Sequence, residues 1–125
     1  PNPSAVSDSN GEYVALYNPS SSDIALNGNY EICRRRGGAC TTLSGTAPKN
    51  DGTFVGCRNA GYVGYSFCDE DLNFDMANWQ SDTLDLYKNG ELIESVTYGF
   101  ALFNGGRCWK RNASGVWGYG TCEFV

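Results

Sequence analysis

Histidine is absent from the 125 residues, and methionine occurs once and proline four times. Without histidine the chain has no Ser–His or Cys–His pair, the commonest way to activate a nucleophile. No Gly-x-Ser-x-Gly elbow stands in its place. Mixed Cys/His zinc sites are excluded on the same ground, and no two cysteines have the C-x-x-C spacing of a zinc knuckle or a redox motif. Positive charge is scarce: nine Lys and Arg face fourteen Asp and Glu, a net charge of −5. That balance disfavours a nucleic-acid partner, because phosphate binding needs a basic surface. No apolar run approaches the ~20 residues that cross a bilayer, so no membrane span is expected. Residues 1–4 (PNPS) lack the charged and apolar regions of a signal peptide, so any such peptide is expected to have been removed. Helical periodicity is nearly absent too. Only residues 71–80, where Leu72, Met76 and Trp79 share a helical face, merit the test.

Glycine, aromatic residues and cysteine are plentiful. Sixteen glycines suit many tight turns, and 41% hydrophobic with 14% aromatic residues supply one packed core. The length is that of one domain. Six cysteines, Cys33, Cys40, Cys57, Cys68, Cys108 and Cys122, form an even set without metal spacing. They read as disulfides, and hence as an oxidising, extracellular setting. We favour the sequential pairing 33–40, 57–68 and 108–122, in which each bridge closes a short loop and stabilises by about 3 kcal/mol.

Most of the chain alternates apolar and polar residues with period two, broken by turn residues. Residues 12–17 (EYVALY) put Val14 and Leu16 on one side. Residues 24–35 read as a strand interrupted at Asn27-Gly28-Asn29, and 40–43 as a short polar strand. Asn50-Asp51-Gly52 turns into 53–58 (TFVGCR). The clearest hairpin joins 83–87 (TLDLY) to 92–98 through Asn89-Gly90, a pair suited to a type I′ turn. Ile93 and Val96 fall out of alternation, which predicts a bulge. Residues 107–111 and 116–124 form a last hairpin. About seven or eight short antiparallel strands at this spacing predict an all-β sandwich or barrel.

Four segments, taken in order, resemble the lamin tail domain family. They are residues 11–29 (GEYVALYNPSSSDIALNGN), 50–59, 81–99 (SDTLDLYKNGELIESVTYG) and 106–117 (GRCWKRNASGVW). The resemblance implies an immunoglobulin-like β-sandwich. Such domains serve in nuclear filament proteins and as modules of secreted bacterial proteins, and the cysteines and acidity favour the secreted branch. Ala15 stands where the family usually has an acidic residue, and Asn29-Tyr30 where a Trp often follows the Gly. Family members open with an apolar strand before a Pro-Asn-Pro-like turn. Here residues 1–10 are expected to be an extended arm, and the strand is either absent from this stretch of chain or supplied by a neighbour.

Four groups of residues are candidates for binding. Asp69, Asp71, Asn73 and Asp75 set oxygen-bearing side chains at every second position, as at the start of a calcium loop. Phe74 replaces the glycine of that turn and Gln80 its bidentate glutamate, so calcium competes with a solvated acidic loop and no other cofactor is expected. Trp79, Trp109, Trp117, Tyr62, Tyr65 and Tyr119 are either a stacking platform for glycans or core aromatics. Asn112-Ala113-Ser114 is an N-glycosylation sequon on a hairpin tip. Arg34, Arg35 and Arg36 form a positive knob, either solvated or in contact with the acidic 69–75 region of another copy. The expected function is a non-enzymatic extracellular structural or adhesive module that associates with other copies, up to a filament. The alternative is an accessory carbohydrate- or cell-surface-binding domain.

Overall fold

The computed structural model describes residues 13–58, 67–75, 81–98, 107–111 and 114–121. Eleven strands and no helix occur among them: β1 (Tyr13–Asn18), β2 (Ile24–Ala25), β3 (Tyr30–Arg34), β4 (Cys40–Leu43), β5 (Thr46–Ala47), β6 (Gly52–Arg58), β7 (Glu70–Leu72), β8 (Asp82–Lys88), β9 (Glu91–Tyr98), β10 (Arg107–Arg111) and β11 (Trp117–Thr121). One sheet has the order β1-β6-β7 and a second the order β4-β3-β8-β9. The pairs β2-β5 and β10-β11 complete the set.

Alternation decides what faces inward. Leu26, Ile32, Leu43, Ala47, Phe54, Leu72, Phe74, Leu84 and Tyr98 form one buried cluster drawn from both sheets. Val14, Leu16, Leu86, Val96 and Trp109 pack against it. This is a small sandwich-like all-β fold. β6 is buried on both faces: Phe54 joins the cluster, and Val55 and Cys57 on the other side are also buried. Over Gly56 the Leu72 side chain lies so close that a Cβ would stand 2.8 Å from its Cδ2.

Three turns carry positive φ at both central positions or at paired Asn and Asp: Asn27-Gly28, Asn50-Asp51 and Asn89-Gly90. These values match type I′ geometry, whose twist agrees with that of the strands it joins. In the β8–β9 hairpin Leu86 pairs with Glu94 but Tyr87 with Leu92, leaving Ile93 as the extra residue of a bulge. The hairpin and bulge both stand where alternation placed them.

Two features depart from expectation. The strand number exceeds seven or eight because β2 and β5 are only two residues each and β7 three. In addition β6 and β7 pair in parallel, where only antiparallel pairs were expected. The cause is the return path: Asp69 exchanges backbone and side-chain hydrogen bonds with Val55, N–H to O at 2.7 Å and Val55 N–H to Oδ2 at 2.9 Å, which starts the ladder. The first two residues of the 71–80 stretch tested for helix, Asp71 and Leu72, therefore belong to strand β7, and 76–80 lie outside the described residues.

Asn18 holds one end of the sandwich together. It is 1% exposed. Its Nδ2 donates to Ser22 O and Ala47 O, both at 2.9 Å. Its Oδ1 accepts from Ser20 N–H at 3.1 Å and Ser20 Oγ at 2.7 Å, and its carbonyl accepts from Asp51 N–H at 2.9 Å. The Asn18 carboxamide thus ties β1, the 18–23 turn and β5, and its backbone carbonyl adds the 50–51 turn.

Candidate functional site

The disulfides come first, since they fix the local frame. Cys33 and Cys40 face each other across the β3–β4 ladder and are bonded, with Cα atoms 4.0 Å apart. Cys57 is bonded to Cys68 across 5.8 Å. Both follow the sequential pairing. The third pair involves Cys108, whose side chain is not described, and Cys122, which lies outside the described residues.

The acidic series 69–75 does not converge. Asp69 accepts from Val55 N–H. Asn73 clamps the edge strand β4: its Nδ2 donates to Cys40 O at 2.7 Å, its Oδ1 accepts from Thr41 Oγ1 at 2.9 Å, and its N–H donates to that same hydroxyl at 3.0 Å. Asp75 pairs with Arg58 Nε at 2.8 Å, while Arg58 Nη1 also reaches Leu72 O at 3.2 Å. Asp71 is exposed. Asp69, Asn73 and Asp75 thus each engage a different protein partner, and no group of three metal-ligating side chains occurs among the described residues.

The arginine run carries two ion pairs within the chain, on side chains of which Arg35 is still exposed. Arg34 Nε bonds Asp82 Oδ2 at 2.7 Å. Asp82 Oδ1 accepts in addition from the N–H groups of Arg36 and Thr83, at 3.2 and 2.8 Å. Arg35 grips Asp85 through Nε at 3.1 Å and Nη2 at 2.7 Å, and the Ser95 hydroxyl donates to the same carboxylate. Arg36, exposed like Arg35, places its Nη2 on Ser81 O at 3.3 Å. The partners of Arg34 and Arg35 are buried aspartates of β8. A buried carboxylate needs a cation or several donors. An Asp between Leu84 and Leu86 was the available signal for that partnership.

The hydrogen bond from Arg35 holds the Asp85 carboxyl below the ordinary carboxylate range; burial opposes this, and the Ser95 hydroxyl adds to it. The same contact raises Arg35 above its ordinary value. A depressed carboxyl contributes stability that is present above its unfolded pKa of about 3.9 and is lost as pH falls toward the folded value. The wild type is therefore expected to lose melting temperature on acidification below about pH 4 more steeply than Asp85→Asn. Parallel acid titrations of the melting transition check this, and equal slopes would contradict it.

The aromatics divide. Trp109 packs on the core. Trp117 is 37% exposed, with the Arg111 guanidinium 5.5 Å from its ring centre. Trp79, Tyr62 and Tyr65 lie outside the described residues, as do Asn112 and the 1–10 arm, and the Tyr119 side chain is not described.

Strand β9 presents an exposed edge. Among the described residues it pairs with β8 alone. Glu91 to Ser95 are all exposed, with Leu92 at 48% and Ile93 at 49%. The face behind it is polar and braced, Thr83 and Thr97 hydroxyls meeting at 2.8 Å beside the Arg35–Asp85–Ser95 group. Among the described residues no second strand therefore lies along Glu91–Thr97, and apolar side chains stand exposed on it. No helix among the described residues is long and apolar enough to cross a membrane. No family model matches the chain, and no curated protein matches it.

Proposed function

We propose that this domain is a lamin-tail-like, non-enzymatic structural or adhesive module of the cell exterior, which joins other copies by strand addition. The exposed edge β9 is the observation that carries this reading. An edge strand offers backbone N–H and C=O groups to a further strand, and alternate side chains set the register. The bulge at Ile93 interrupts the start of β9, so an added strand runs regularly along Glu94–Thr97 and ends against the exposed Leu92 and Ile93. Two disulfides suit an oxidising medium. A contact between unlike surfaces that does not close propagates into a fibre.

Size exclusion and negative-stain microscopy over a concentration series, without reductant, test the idea. Assemblies are expected for the wild type. Leu92→Lys and Ile93→Lys, at exposed positions, are expected to dissolve them while shifting stability by no more than about 0.5 kcal/mol. A wild-type monomer at the highest concentration would refute the proposal. The second reading, a glycan-binding accessory domain with or without calcium, is favoured by the exposed Trp117–Arg111 stack. A glycan array with the wild type and Trp117→Ala separates the two.

A further inference from the structure

Of the four Asn-Gly steps in the sequence, the two among the described residues are turns matched in backbone form whose glycine N–H groups differ in hydrogen bonding. At Asn27-Gly28 the φ angles are 49° and 74°, and at Asn89-Gly90 they are 51° and 79°. All four residues are exposed. Neither asparagine carboxamide has a hydrogen-bond partner among the described residues. The glycine nitrogens differ. Gly28 N–H donates to Leu43 O at 2.8 Å. Gly90 N–H has no acceptor among the described residues; the bond at that turn is made instead by Asn89 N–H, to Asn29 O at 2.7 Å.

Asparagine before glycine is chemically labile because the next backbone nitrogen, unshielded by a side chain, can attack the carboxamide carbon. The new N–C bond closes a five-membered imide as ammonia leaves with the proton taken from that nitrogen. Water then opens the ring, giving aspartate or, through the other carbonyl, isoaspartate. The attacking nitrogen must first give up its proton and turn toward the side chain. A hydrogen bond from that N–H to a carbonyl opposes both steps.

We infer that Asn89 is a site of spontaneous deamidation in the folded protein and that Asn27, its geometric twin, is protected by the Gly28–Leu43 hydrogen bond. The co-reactant is water, and no enzyme or cofactor enters. Nothing crowds a substituent at Gly90, where an added Cβ would meet no atom within 4 Å, so the site is also open to solvent. The product places a carboxylate, and in the isoaspartate form an extra backbone carbon, at the tip of the edge hairpin beside the Lys88–Glu91 pair.

The test is incubation of the folded protein at mildly alkaline pH and peptide mapping by mass spectrometry. The amide-to-acid mass change is expected at Asn89 roughly three- to tenfold faster than at Asn27, the range that one hydrogen bond spans. In denaturant, where the hydrogen bond is gone, the two sites are expected to react at similar rates. Equal rates in the folded protein, faster reaction at Asn27, or a folded Asn89 that stays intact while the denatured chain reacts would each overturn the inference. Gly90→Ala, which shields the nitrogen, is expected to slow the Asn89 reaction and leave Asn27 unchanged.

Discussion

Joint replacement of Cys57 and Cys68 by alanine is expected to cost about 3 kcal/mol of folding stability, clearly more than joint replacement of Cys33 and Cys40. Chain entropy alone separates the two pairs little, since the loops span 11 and 7 residues in sequence. The difference comes from what else holds each crossing. Cys33 and Cys40 sit in a ladder already fixed by the Arg34 N–H to Ala39 O and Gly38 N–H to Arg34 O bonds, at 2.8 and 3.1 Å. Cys57 and Cys68 instead secure the return to the parallel strand β7, whose ladder is three residues long. Cys57 is also fully buried, so its truncation leaves a void as well. Urea unfolding of both double variants without reductant reads the comparison, and equal midpoints would show that the β7 return needs no staple.

The second large effect is expected at Asn18. Asn18→Ala removes a carboxamide that satisfies two carbonyls, one N–H and one hydroxyl at a buried point. Leaving such groups without partners costs about 2–4 kcal/mol in total, on the usual scale of 1–3 for each buried group less what water recovers at the exposed serines. Melting temperature is expected to fall on the order of 10 °C. Ser21→Ala, exposed in the same turn, is the control and is expected to stay near wild type. Asn18→Asp keeps the acceptor but loses the donor, so it is expected to be nearly as unstable as the alanine variant. Stability close to wild type in Asn18→Asp would mean that the Ala47 and Ser22 carbonyls find water.

Local chemistry was readable from the chain, and distant pairing was not. Asn89-Gly90 announces its own turn because few residues tolerate two successive positive φ angles. Ile93 and Val96 betray the bulge because period two admits no odd insertion. By contrast β7 pairs with β6 only after the chain doubles back through a bridge, and three residues of EDL carry no pattern strong enough to specify a strand. The arginine run shows the same limit. Arg34 and Arg35 meet Asp82 and Asp85 nearly fifty positions away, so a reading of neighbours sees three free charges. Asn73 is the clearest case in the acidic series: its spacing suits an ion, yet its carboxamide is matched to a hydroxyl and a carbonyl of β4.

The pairing of β3 with β8, Arg34 opposite Leu84, has a consequence for how the molecule is made. During synthesis the early portion emerges with β1, β6 and both bridged cysteine pairs already present, whereas the second edge of β3 waits for β8. Oxidation of Cys33–Cys40 and Cys57–Cys68 is thus free to run ahead of closure, preparing half of the body before the rest arrives. The later β8–β9 hairpin, local in sequence and quick to form, then docks as a finished piece.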